Sequence, residues 1–317
     1  MTIFRLVITR VALSVVTLLL VSLLIFLILE ALPGDVATRI LGRDATVKAL
    51  EVLRAQLHLG DPAFSRYLHW LGDLLQGNLG VSIATGRPIA DVLGPRIINT
   101  LLLSLLAFVM YLVLAIVPAT LQATHRGTKL DSIISVVTLV LLSLPDFLLA
   151  TLLLFIFAVA MPILPALATV SEANSWLDNL RAMILPAVTL AIIMAVYAIR
   201  VLRDSLIEVL RSDYVRLAEL KGLRPYAVLW RHAMPNALVP ALNITALNLG
   251  FLMGGVVIVE RVFSYPGFGT LLIDALQLRD LPLIKATVMI SAAVYIAANL
   301  VTDICAVLLQ PRLRTSR

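Results

Sequence analysis

The residues that could do chemistry in this 317-residue chain are few, and their spacing argues against catalysis. Its four histidines, His58, His69, His125 and His232, all fall in polar stretches between apolar runs. Neither His-Glu-x-x-His nor Gly-x-Ser-x-Gly occurs, so no zinc-hydrolase or serine-hydrolase constellation is legible. The one cysteine, Cys305, excludes an intrachain disulfide and a cysteine-based metal cluster. A Gly-x-x-x-x-Gly-Lys-[Ser/Thr] loop is missing too, so the chain has no phosphate cradle of that kind and should not hydrolyse ATP. What remains are polar groups inside apolar runs: Asp146 directly after Pro145, and Asn243, Asn248 and Asn299. A carboxylate at bilayer depth is costly enough to suggest either a pathway that attracts a substrate ammonium group or an interhelical contact. Each asparagine suits a pathway or a hydrogen bond between packed helices.

The elements that must position these groups are membrane spans. The chain is 61% hydrophobic and 14% charged, with a mean hydropathy of +1.01. A soluble domain is about half apolar and about a quarter charged. Crossing a hydrocarbon layer takes roughly 20 apolar residues, and the apolar runs predict six spans at 11–30, 98–121, 133–160, 184–203, 237–259 and 283–309. The first has the basic flank of a signal peptide but is long and lacks a small-residue cleavage site, so it reads as a retained anchor. Arg5, Arg10, Arg126, Lys129, the cluster Arg211 to Arg231 and the tail Arg312 to Arg317 put both termini in the cytoplasm by the positive-inside rule. The net charge of +6 is therefore topological, and nucleic acid is not an expected partner.

The segment 33–97 is a long outer-side loop. Ala49, Leu50, Val52, Leu53 and Leu57 form one helical stripe, and Tyr67, Leu68, Leu71, Leu74 and Leu75 a second after Gly60-Asp61-Pro62, which predicts a small folded cap. The expected organisation is a tail and first span over 1–32, this loop domain, a core over 98–311 and a cytoplasmic tail over 312–317.

The most informative stretch lies within 204–236. Ser212-Asp213-Tyr214-Val215-Arg216-Leu217-Ala218-Glu219-Leu220-Lys221-Gly222-Leu223 predicts a short exposed helix opened by Asp213 and ended at Gly222, then a second helix stopped near Pro235. A loop that only joined two spans could be far shorter.

Here the chain resembles the membrane subunits of ABC importers, whose cytoplasmic signature runs EAA, three residues, Gly, nine residues, Ile-x-Leu-Pro. Gly222 falls on the glycine, and His232, Met234 and Pro235 on the Ile, Leu and Pro positions. Arg216, Leu217 and Ala218 stand at the EAA positions, so only the alanine matches. Asp213 to Leu223 is similar to the variant of the dipeptide, oligopeptide and nickel branch. Further likenesses are Pro33-Gly34-Asp35, Gly77-Asn78-Leu79-Gly80, Gly86-Arg87-Pro88, Ser143-Leu144-Pro145, Leu185-Pro186-Ala187, and Val262 to Gly269. Their order and spacing resemble the first of the two permeases in such systems.

The resemblance implies an all-α, six-span, type I importer permease in a bacterial or archaeal inner membrane. It implies a second homologous permease, two ATPase subunits or domains that hold ATP and Mg, and an extracytoplasmic solute-binding protein. The chain itself would hold no cofactor and no metal. Tyr214, Arg216, Ala218, Lys221 and Gly222 would form the contact with an ATPase, Ala218 by allowing close approach. Arg216 and Lys221 serve that contact or merely fix topology. Glu260, Tyr265, Pro266 and Gly267 would form an outer gate turn, against the alternative of a wet surface turn in which Glu260 and Arg261 keep their heads in water. An ion-coupled carrier using Asp146 and the asparagines is the rival function.

Overall fold

The computed structural model describes residues 3–31, 46–48, 51, 60–171, 173–254 and 256–309. The described residues are helical apart from turns and one isolated antiparallel bridge, Val81 with Pro88. The stripe at 49–57, apart from Glu51, Pro33-Gly34-Asp35 and the basic tail lie outside the described residues, as do the side chains of Thr302, Asp303 and Cys305. Four helices are long and apolar enough to cross a membrane, or five if one sharply bent pair counts as a single span.

The chain divides into two compact units, Met1–Ile97 with Leu271–Arg317, and Ile98–Thr270. In the first, α1 (Ile3–Glu30) packs against α12 (Leu281–Leu309), and the short α2 (Ala63–Leu75) packs on α1. The start of α12 is capped by Asp280, which is fully buried. Its carboxylate accepts the Leu283 N–H at 3.2 Å, the Ser82 hydroxyl at 2.6 Å and the Ala84 N–H at 3.1 Å. A helix start leaves N–H groups without intrahelical partners, and one carboxylate here serves both that start and the 82–84 turn.

The second unit is built around α6 (Trp176–Leu210), much of which is buried. It packs on α4 (Lys129–Ser143), α5 (Asp146–Leu154) and α9 (Met234–Gly254). The long α3 (Ile89–Thr124) contributes Leu103, Ala107, Tyr111, Ala115 and Ala119 to the same core. Small residues on these faces let backbones approach, as membrane helices need when water supplies no driving force between them. Asp131 at the start of α4 receives both Arg203 Nε and Nη2 from α6, each at 2.9 Å, together with the Gly127 N–H at 3.0 Å. This fork ties the end of α6 to the 127–131 turn.

The expected third span, 133–160, is not one straight helix. Pro145 keeps Leu144 extended, α4 ends at Ser143, and the chain turns by 111° into α5 and the wide, π-type turns of Phe155–Ala160. The expected fifth span appears as α9 and α10 (Val256–Val262), on either side of Gly255. α11 (Phe268–Leu278) follows.

Candidate functional site

The polar segment after α6 forms a braced hairpin. α7 (Asp213–Leu220) starts at Ser212 and ends where Gly222 takes φ +77°, a left-handed conformation that favours glycine. The Gly222 N–H bonds the Glu219 carbonyl at 2.8 Å and the Leu223 N–H that of Ala218 at 3.3 Å, closing the helix end. The chain then re-enters helical geometry at Pro225–Ala227, passes through π-type turns at Val228–Ala233 and runs directly into α9. Pro235 therefore does not stop a helix as expected. It removes one N–H and crowds the carbonyl four residues back, and the widened turns before it absorb both effects.

Val215, Ala218, Val228 and Ala233 are buried together as a small apolar brace, with Val209 and Leu210 of α6 packed on it. Tyr214 ties the two arms: its hydroxyl accepts the Asn236 amide at 2.9 Å and reaches the His232 carbonyl at 3.4 Å. Opposite the brace, α7 exposes Arg216, Leu217 and Leu220, Lys221 is exposed just past its end, and the second arm exposes Tyr226 and Trp230. Ala218, expected to face an ATPase, instead faces Val228 and Ala233. Its small side chain permits close approach within the hairpin. Leu217, Leu220, Tyr226 and Trp230 thus join the expected Arg216 and Lys221, and the sequence signal for two of them is that Leu217 and Leu220 lie with Arg216 on one face at helical spacing.

The turn after α10 is buried, not wet. Glu260, Phe263 and Tyr265 have no exposed surface. Glu260 accepts the Thr270 N–H at 3.0 Å and the Thr100 hydroxyl, while Thr100 Oγ1 accepts the Phe268 N–H at 2.8 Å. Tyr265 donates to the Asn99 carbonyl at 2.7 Å, and the Asn99 amide donates to the Pro266 carbonyl at 2.9 Å. Burial, with the Glu260 carboxylate nearby, pushes the Tyr265 phenol above its ordinary value, so it remains a donor. Gly267 lies against that carboxylate so closely that a Cβ would overlap it, and a Cβ on Gly269 would stand 2.8 Å from the Val257 Cα. The four expected gate residues are thus joined in one network with Asn99, Thr100 and Thr270, three residues that no local sequence pattern marks.

The expected pathway residues are not brought together. Asp146 is half-buried in the first turn of α5, after the 111° bend. It does not continue the line of α4, which ends three residues earlier. Asn248 donates to the Met194 carbonyl of α6 at 3.1 Å, an interhelical bond, whereas Asn243 is exposed on α9. Asn299 is half-buried on α12. Tyr111 and Thr245 join α3 to α9 through their hydroxyls at 2.8 Å. Among the described residues, no group of three or more His, Cys, Asp or Glu could hold a metal ion.

The described residues thus form a set of long apolar helices with a braced polar hairpin between two of them. Residues 111–315 match the family described as the binding-protein-dependent transport system inner membrane component, and residues 3–95 match its N-terminal counterpart. The chain belongs to this family of ABC importer permeases, multi-pass transport subunits of the inner membrane that are not enzymes. It is 33% identical over 305 residues to a probable peptide ABC transporter permease of Sinorhizobium fredii, covering 96% of this chain and 97% of that protein. It is 34% identical over 298 residues to the glutathione transport system permease protein of Escherichia coli strain K12, covering 94% and 95%. The corresponding permease of Shigella dysenteriae is equally similar over the same length.

Proposed function

We propose that this chain forms half of the translocation path of an ATP-driven importer for peptides or related small solutes such as glutathione, in a bacterial or archaeal inner membrane. The other half is a second homologous permease. Two ATPase subunits or domains bind ATP and Mg below, and an extracytoplasmic binding protein delivers the solute. The chain crosses the membrane six times with both termini cytoplasmic, and 33–97 forms a domain on the outer side.

The observation that carries this reading is the hairpin at 213–233. It is rigid where it meets α6 and exposes apolar and basic groups where a partner would sit. A braced helix fixed between two membrane helices transmits a rigid-body displacement that a loose loop would absorb. Leu217, Leu220, Tyr226 and Trp230 supply the apolar contact with the ATPase, while Arg216 and Lys221 pair with its acidic groups. Tyr214 and Gly222 set the hairpin's shape. Glu260, Tyr265, Pro266 and Gly267 hold the outer gate turn, and Asp146, Asn243, Asn248 and Asn299 belong to the helices that form the path. The solute class follows the names of the peptide and glutathione relatives.

Proteoliposomes test the proposal. Uptake of radiolabelled short peptides or glutathione is expected only with the second permease, the ATPases, the binding protein and ATP all present. Uptake by this chain alone, driven by an ion gradient, would establish a secondary carrier instead.

A further inference from the structure

α2 (Ala63–Leu75) has more apolar surface than the protein covers. Tyr67 and Trp70 lie on α1: the Tyr67 hydroxyl is 2.8 Å from Ser22 Oγ, and Phe26 meets the Tyr67 and Trp70 rings at 5.4 and 6.2 Å between centroids. Arg66 pairs with Glu30. Lys285 of α12 stands over the Phe26 and Trp70 rings at 4.7 and 5.4 Å, closing the seat from the other side. Yet Phe64, Leu68 and Leu75 are 71%, 48% and 80% exposed. At about 100° per residue these three lie roughly 110° around α2 from the Tyr67 and Trp70 face. Ser65, His69 and Asp73 lie about 120° further on. The helix therefore has three faces: one on protein, one apolar and uncovered, one polar.

The level of contact on α1 says what covers the second face. α2 touches α1 from Glu30 down to Ser22, and Ser22 lies about 10 Å inside the end of the apolar run at Leu29, at the usual helical rise. Leu23, Leu24, Leu27 and Ile28 of α1, at the same level, are exposed on a helix that crosses a bilayer. An amphipathic helix at a membrane surface sinks its apolar face about 5–10 Å into the headgroup and acyl boundary. That depth matches the contact.

We infer that α2 is an interfacial helix seated in the leaflet at the C-terminal end of α1, with Phe64, Leu68 and Leu75 among acyl chains and Ser65, His69 and Asp73 in water. The segment expected to be a small folded cap is at this point part of the membrane anchor. The uncovered stripe contains no charged residue, which suits hydrocarbon. The inference needs only that α1 spans the bilayer, and so it stands apart from the choice of solute or energy source.

The assembled transporter in phosphatidylcholine and phosphatidylglycerol vesicles tests it, with Cys305→Ser as background and nitroxide labels on Leu68→Cys, Leu75→Cys, Ser65→Cys or Asp73→Cys. Collision rates with oxygen and with a water-soluble nickel chelate are then measured. The oxygen-to-nickel ratio is expected to be several-fold higher at 68 and 75 than at 65 and 73. Nickel access at 68 and 75 equal to that at 65 and 73 would put the stripe in water. Protection from both reagents would put it against another protein subunit, and either result overturns the inference. Phe64→Trp, which preserves an aromatic ring, gives an independent measure: the emission it adds to that of the unsubstituted transporter is expected to be quenched by brominated acyl chains, and lack of quenching of that added emission counts against the inference.

Discussion

The turn at 260–270 and the hairpin at 213–233 are both short polar segments beside membrane helices, yet they are held in opposite ways. The turn is fixed by a buried carboxylate, two glycines without room for a Cβ, and side chains whose hydrogen bonds run to backbone groups. The hairpin is fixed mainly by four apolar residues, with Tyr214 tying its arms, and its outward face is exposed. Buried polar groups are expensive when unpaired, so a satisfied network defines one geometry and tolerates little change. An apolar brace constrains the backbone equally well but leaves the opposite face open to a partner. The first construction suits a part that must keep its shape, the second a part that must be gripped.

The largest effect is expected at Glu260. Glu260→Ala strands the Thr270 N–H and the Thr100 hydroxyl in a buried site, each worth about 1–3 kcal/mol when unsatisfied. The assembled transporter should lose several degrees of thermal midpoint by fluorescence-detected size exclusion. An unchanged midpoint would remove the carboxylate from the centre of the network. Gly269→Ala comes next, because the new Cβ would meet the Val257 Cα at 2.8 Å as well as the Val257 Cγ2 at 2.7 Å, and backbone cannot move aside as a side-chain tip can. Overpacking of that kind costs about 1–3 kcal/mol. A tolerated alanine, with midpoint and uptake both preserved, would show that the turn has slack.

Much of this contrast was legible in the residues, though unevenly. The apolar runs placed the long helices because hydrophobicity over about 20 residues is a strong and local signal. Gly222 marked the hairpin's reversal, since only its backbone freedom at positive φ was needed. What escaped was whatever depended on partners far along the chain. Glu260 stays open between a gate turn and a wet surface turn until Thr100, 160 residues earlier, is placed beside it. Arg203 and Asp131 carry no signal of their own until the fold joins them, 72 residues apart, in their fork. The inward direction of Ala218 depends on Val228 and Ala233, which local spacing does not reveal. The 111° turn at Pro145 was foreseeable as a bend, whereas its angle was not.

A smaller effect is expected at Asn248, whose single described bond goes to a backbone carbonyl of α6. Interhelical side-chain bonds in membranes are worth about 0.6 kcal/mol on average. Asn248→Ala should therefore shift the midpoint by only a degree or two. A change in solute preference at constant midpoint would make Asn248 a path residue instead of a packing one.

The least effect on stability is expected at Leu220, and there the comparison is sharpest. Leu220 is 77% exposed on the face of α7 opposite the brace, so Leu220→Ser removes almost no contact within this chain. The midpoint of the isolated permease pair should stay within experimental error. Substitutions at exposed positions are usually within about 0.5 kcal/mol. If an ATPase grips this face, the same change should weaken co-purification of the ATPases and lower solute-stimulated ATP hydrolysis and uptake together, whereas Glu219→Gln on the flank should not. Val215→Ser, directed into the brace, should lower the midpoint as well as coupling. Loss of coupling at Leu220 without loss of stability, and loss of both at Val215, would separate the gripped face from the brace that holds it. Full transport by Leu220→Ser with Trp230→Ser would move the ATPase contact elsewhere on the chain.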